Sequence, residues 1–339
     1  MAVIAFSAVG ASARGDIPGY RNTTHGALID DLESLGHTLV EPDNPDATHF
    51  VSLDHNAKSL AAASSTVPIK RRILVVYEPR VVIPANYRPS IRRLYGRIIS
   101  MSATPDAAHL DWPQRDWRAS PPASPVRLPG STAVVNANKL SSVRGSLYGL
   151  RRRVIERFAR DRLPLTLAGA NWERRGTALL VENAKSIAYA LLNRELVDLR
   201  EWARPVPTSG TITHLGRVED KDTVLLASEF AVVIENSAAY LSEKLFDAVI
   251  AGCVPLYVGP PLALYGIPDS IAVILPQRAE AFTEAVRSLT ADEKRAVLRA
   301  GRTWLADDET HRRWAMPNAL ARLADEISHA IETEKGDAQ

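Results

Sequence analysis

Between Lys221 and Gly259 the chain reads KDTVLLASEFAVVIENSAAYLSEKLFDAVIAGCVPLYVG. An apolar run from Ala231 to Ile234 has strand character and ends in Glu235-Asn236-Ser237. A short loop then holds Tyr240, and Ser242-Glu243-Lys244 opens a helical segment that Gly252 can stop. This order sets Asn236, Tyr240, Glu243 and Lys244 where the carboxyl end of a strand meets a helix N-terminus, the edge at which open α/β sheets bind ligands. A helix N-terminus offers unpaired N–H groups and a partial positive charge. Lys244 adds a full charge, so the chemistry suited to this edge is holding a phosphate. Arg144 heads another helical stretch, reaching Arg160, and suits an anion for the same reason. Taken singly these residues are ordinary: Asn236 is a turn former, Tyr240 a packing residue, and most of the Arg144–Arg162 run a solvated helix face.

The elements that must position these residues follow from periodicity. Ala2–Val9 reads as a strand, followed by a loop punctuated by Gly10, Gly15 and Gly19, which either approaches a ligand or simply turns. Thr24–Leu35 has an apolar stripe of Ala27, Leu28, Leu32 and Leu35, with Gly36 as its stop. His37–Glu41, Ala47–Leu53 and Arg72–Tyr77 supply further strands. Residues 112–130 carry five prolines and read as a linker. Strands at Thr132–Asn136, Leu165–Gly169, Ala231–Glu235, Val254–Val258 and Ile271–Leu275 follow, with helices at 144–160, 243–251, 281–289 and 291–305. Leu320, Leu323, Ile327 and Ile331 give the C-terminal stretch a helical stripe that packs on the body. The alternation predicts α/β architecture with mainly parallel sheets. The expected domains are residues 1–120 and 121–330.

Composition narrows the function. The 339 residues carry 41 basic and 39 acidic side chains, a net charge of +2, which gives no global attraction to nucleic acid or an anionic membrane. Phosphate binding must therefore come from a few placed cations. The single cysteine, Cys253, forbids an intramolecular disulfide and sits in an apolar strand, where a buried inert thiol is expected. The N-terminal run lacks the basic flank of a signal peptide, and no stretch is long and apolar enough to span a bilayer. The expectation is a cytoplasmic protein, with peripheral contact to a membrane that holds its acceptor left open. Asp220-Lys221-Asp222 has the form of an Asp-x-Asp metal motif, but three residues recur by chance. The histidines show no zinc spacing, no Gly-Lys-Ser/Thr follows Gly10, and no Gly-x-Gly-x-x-Gly turn supports a dinucleotide oxidoreductase.

The Lys221–Gly259 segment resembles glycosyltransferase family ten, the α-1,3/4-fucosyltransferases, through Lys221, Glu235-Asn236-Ser237, Tyr240, Ser242-Glu243-Lys244, Ala251-Gly252, Val254-Pro255 and Gly259. The Asn236–Tyr240 loop is about two residues shorter than the family pattern. A second match is Asn136-Ala137-Asn138 with Arg144 to Tyr148, across a longer linker. A third is the strand ending at Glu78-Pro79, which lacks the family's intervening Ser. The resemblance implies two Rossmann-like domains facing a cleft (GT-B type), the first on the acceptor side and the second holding the donor. It implies GDP-fucose as donor, a glycan acceptor and inversion at the anomeric carbon. Arg144 and Lys244 would hold the diphosphate and Asn236, Tyr240, Glu243 and Lys221 the rest of the donor. Glu78 would be the general base. No metal or other cofactor is demanded. Another GDP-sugar as donor, or a non-catalytic glycan- or nucleotide-binding module of the same fold, remains open.

Overall fold

The computed structural model describes residues 1–9, 15–102, 107–111, 113–119, 127–174, 177–192, 205–207 and 210–336. The chain divides into two compact units, Met1–Asp116 with Arg312–Gln339, and Trp117–His311. This corrects the expected domains: the boundary falls at 116/117 rather than after residue 120, and the C-terminal helix belongs to the first unit. The helix Met316–Gly336 packs on the helix Gly26–Ser34, burying Leu320, Leu323, Ile327 and Ile331. His37 Nε2 and Ser328 Oγ, 3.0 Å apart, tie the ends of the unit together.

The first unit holds six parallel strands: β1 (Val3–Ala8), β2 (Thr38–Val40), β3 (His49–Leu53), β4 (Arg72–Val76), β5 (Arg97–Ser100) and β6 (Ala108–His109). Their order is β2-β1-β3-β4-β5-β6. From β1 the chain builds outward to β2 and then returns to the other side, so the order reverses between β1 and β3. Strands β1, β3 and β4 are almost wholly buried, as the centre of a sheet covered on both faces must be.

The second unit repeats the plan with β7 (Leu128–Val135), β8 (Leu165–Ala168), β9 (Ile212–Gly216), β10 (Ser228–Ile234), β11 (Val254–Val258) and β12 (Val273–Ile274), in the order β12-β11-β10-β7-β8-β9, all parallel. Here the reversal lies between β7 and β10, where ligands of open α/β sheets bind. One face of the sheet packs Val134, Leu167, Phe230, Val232 and Leu256 against helices Tyr148–Arg160 and Ala279–Ser288. Gly169, just past β8, has φ +140°, and a Cβ there would run into the Asn136 carbonyl at the end of β7. The residue type thus lets the carboxyl ends of β7 and β8 close together.

Of the sequence expectations for loops, residues 10–14 and 120–126 lie outside the described residues. Gly36 does stop its helix, at φ +85°, and Gly252 stops the helix Glu243–Ile250 at φ +68°.

Candidate functional site

The candidate donor residues gather at the reversal point of the second sheet. Strand β10 ends at Ile234, and its terminal carbonyl is held by Arg151 from the helix Tyr148–Arg160, with Nε at 3.1 Å and Nη2 at 2.6 Å. Nη2 also reaches Asn236 Oδ1 at 2.9 Å, and the guanidinium lies 4.7 Å from the Tyr148 ring centroid. Leu147 N donates to the Asn236 carbonyl at 3.0 Å. The turn after β10 is therefore fixed from beneath by the first turn of that helix. Burial pulls the Arg151 pKa down, countered by Tyr148, Glu235 and Glu243.

Glu235 is fully buried. Its carboxylate accepts from Ser242 N at 3.1 Å, Ser242 Oγ at 2.6 Å and Lys244 Nζ at 3.3 Å. Lys244 Nζ also donates to Ser242 Oγ at 2.6 Å. Serine is a residue type that caps helices with its side chain, and Ser242 precedes the helix Glu243–Ile250. It occupies the N-cap position, but its hydroxyl serves Glu235 instead. Lys244 likewise turns inward. Two of its three ammonium hydrogens are committed, leaving one for a ligand. Lys221 Nζ pairs with Asp247 Oδ2 at 2.5 Å. Lys221, Glu243, Lys244 and Asp247 line a small cleft of about 60 Å³ against β7 and β10. That volume suits a phosphate-sized group and is far below that of a site enclosing a nucleotide. Burial works to raise the Glu243 pKa, but Lys244, its own helix N–H, Lys221 and Arg151 outweigh it and hold the carboxyl below its ordinary range.

Asn236 and Tyr240 stand in the same turn. Tyr240 is 2% exposed and bridges back to Ser237, so it builds the loop. Arg144 is exposed and lies in the loop before the helix, which begins at Tyr148; it does not open that helix as expected. Gly145, at φ +88°, follows it. The Arg151–Arg153 run is not a solvated face either. Arg151 and Arg152 are buried, Arg152 donating to Asn138 Oδ1 at 3.0 Å, and Arg153 alone is exposed. The signal lay in the spacing: Arg151 shares the stripe of Leu147, Tyr148, Leu150, Val154 and Ile155. Asp220, of the Asp-x-Asp triplet, caps the helix Lys221–Leu226, accepting from Asp222 N at 2.8 Å and Thr223 Oγ1 at 3.1 Å. Cys253 is buried, its thiol pushed up to about 12 chiefly by desolvation.

Glu78 lies in the first unit, just past β4, half-buried. A network that the sequence did not announce fixes its backbone. Asp54, buried at φ +60° just past β3, accepts on Oδ1 from Tyr77 N at 2.8 Å, Glu78 N at 3.1 Å and Asn86 Nδ2 at 2.6 Å. Tyr87 donates to the Glu78 carbonyl at 3.2 Å. Burial raises the Asp54 pKa to about 6 against these three donors.

Solved structures share this fold. HepE from Anabaena, solved with UDP and glucose, matches with a TM-score of 0.57 at 9% identity, over 97% of this chain and 100% of that one. An α-glucosyltransferase, AGT, solved with UDP, matches at 0.55 and 9% identity, over 97% and 100%. A glycosyltransferase from Rickettsia africae matches at 0.52 and 10% identity, over 97% and 98%. The fold is thus the GT-B fold of glycosyltransferases. No family model and no curated protein matches the chain, so the likeness to family ten rests on the residues quoted above. Among the described residues, no helix is long and apolar enough to cross a membrane.

Two outcomes follow for stability. A carboxyl whose folded-state pKa exceeds its unfolded value is stabilised in its protonated form, so the Asp54 contribution is present below pH 4 and is lost as pH rises through about 6. Urea unfolding at pH 4.5 and pH 7 should show wild type losing about 2 kcal/mol more than Asp54→Asn across that interval; equal losses would contradict the assignment. Lys244→Ala should cost about 3–5 kcal/mol by leaving Glu235 charged and buried. Adding Glu235→Gln should recover at least about 1 kcal/mol of it in the same assay.

Proposed function

We propose that this chain is an inverting glycosyltransferase that moves a sugar, fucose from GDP-fucose by the resemblance, onto a glycan. The observation that supports this reading most is the coincidence of two independent features. The segment resembling the family-ten donor motif, Lys221–Gly259, surrounds the reversal point of the second sheet in a GT-B fold. HepE and AGT, of the same fold, were solved with UDP, which makes a UDP-sugar the second reading for the donor.

In the proposed reaction the acceptor hydroxyl attacks the anomeric carbon from the side opposite the diphosphate, and Glu78 accepts its proton. Such a base contributes roughly 10²–10⁴-fold. The diphosphate leaves carrying the charge that cationic groups must stabilise. The cations around the turn are already matched: Lys221 by Asp247 and Lys244 by Glu235, with Glu243 close to Arg151. A diphosphate entering there adds negative charge to a balanced set. Exposed Arg144, one remaining Lys244 hydrogen and the N-terminus of the helix Glu243–Ile250 are what answer it. This makes Arg144 the decisive binding residue, and Asn236 the group suited to the sugar hydroxyls.

Calorimetry with GDP and with UDP tests the proposal. Arg144→Ala should weaken the preferred nucleotide about ten-fold, 1.4 kcal/mol, at unchanged melting temperature. Glu78→Gln should bind nucleotide as wild type does while losing at least about 100-fold in transfer. Preference for GDP favours the fucosyltransferase reading, and preference for UDP the second. Nucleotide binding untouched by Arg144→Ala would remove the donor site from this turn. Nucleotide binding without transfer in wild type would leave a binding module.

A further inference from the structure

The two lysines at the turn after β10 are held by carboxylates in different ways. Lys244 is bound to Glu235, which is fully buried, and is itself largely covered, its side chain 12% exposed. Lys221 is bound to Asp247, Nζ to Oδ2 at 2.5 Å, with the aspartate side chain 9% exposed and the lysine side chain 40%. Asp247 stands within the helix Glu243–Ile250, one turn past Glu243, so its short side chain is fixed by the backbone. Lys221 is the first residue of the helix Lys221–Leu226 and reaches Asp247 from there on a flexible four-carbon stem. The carboxylate is the fixed partner of this pair and the ammonium the movable one.

Both residues line the cleft of about 60 Å³, together with Asn136, Glu243 and Lys244. Lys221 also acts on its other side. Burial works to raise the Glu243 pKa, and Lys244, the helix N–H and Lys221 together outweigh it. An ion pair whose lysine is this open to water is weak, because water already solvates the ammonium. A diphosphate offers the same ammonium several oxygens and more charge than one carboxylate. It would also meet the N-terminus of the helix Glu243–Ile250 at the same cleft. Moving Lys221 onto a diphosphate is thus an exchange of anions, and separation from Asp247 subtracts from the affinity gained.

We propose that Asp247 is a positioning residue that competes with the diphosphate for Lys221. It holds the lysine between turnovers, yields it to the incoming donor and reclaims it as the nucleoside diphosphate departs, which keeps the product from being held too tightly. The assignment rests on the reading of this turn as the donor site.

Calorimetry on the full chain with GDP, UDP and inorganic pyrophosphate tests it, comparing wild type, Asp247→Asn and Lys221→Met/Asp247→Asn. Asparagine keeps the shape of the side chain and removes the competing charge, and the double variant leaves neither charge of the pair alone. Asp247→Asn should bind the preferred nucleotide and pyrophosphate at least about five-fold more tightly than wild type, and the double variant should lose that gain. Unchanged or weaker binding by Asp247→Asn would overturn the proposal. So would a gain that survives in the double variant, which is direct repulsion rather than competition for Lys221, or a gain for nucleotide without one for pyrophosphate. Arg144→Ala, run alongside, separates the failures. Binding weakened by Arg144→Ala but not strengthened by Asp247→Asn removes this proposal alone. No nucleotide binding by wild type, or binding untouched by every variant, removes the donor site from this turn and the proposal with it.

Discussion

The second unit depends on one buried arginine. The Ile234 carbonyl stands at the end of β10, where the chain must turn without leaving it unsatisfied. Arg151 supplies two donors to Ile234 O and a contact to Asn236, from a helix whose own first turn binds the Asn236 carbonyl. A guanidinium can do this because it keeps its donors in a rigid fork and is held charged even where burial works against it. With the turn fixed, Glu235 faces inward and Asn236 stands at the sheet edge. The helix Glu243–Ile250 then starts where a phosphate can meet its N–H groups.

Buried charge then sets what the site can hold. Glu235 in the core demands a cation, and Lys244 with Ser242 answers it at the level of the helix start. Asp247 and Lys221 form a second pair one turn further on. These pairs fix the geometry of the turn at the expense of lysine charge that an open site would turn outward. The first unit uses the opposite device. Asp54 is buried with no ion-pair partner among the described residues and gathers three donors instead, and through them it sets the position of Glu78.

How much of this the sequence conveyed depended on whether the signal was local. Strands β1, β3, β4, β10 and β11 announce themselves as apolar runs. The helix Gly26–Ser34 shows a 3.6-residue stripe, because a segment buried on both faces, or on one, leaves its own pattern. Edge strands leave weaker signals: β6 has two residues, too few to show a period, and β9, as long as β3 and β4, is partly open to solvent and mixes Thr213, His214 and Gly216 into its run. The stripe Leu320, Leu323, Ile327 and Ile331 told that the last helix packs, but a stripe does not name its partner, so the return to the first unit was invisible. At the site, residue types at strand–helix junctions were legible, while orientation was not. Lys244 read as facing a ligand until buried Glu235 was seen to claim it, together with Ser242. Arg151 looked solvated because charge was weighed above its place on an apolar stripe. Asp54 and Asn86 act through contacts between elements that no local spacing encodes.

The most direct measurement is photoaffinity labelling with azido analogues of GDP and UDP, followed by mapping of the modified peptides. Labels confined to the segments 136–151 and 235–247 would place the nucleotide at the reversal point between β7 and β10. Labelling that falls in the first unit, or that unlabelled nucleotide does not compete away, would contradict a donor site there.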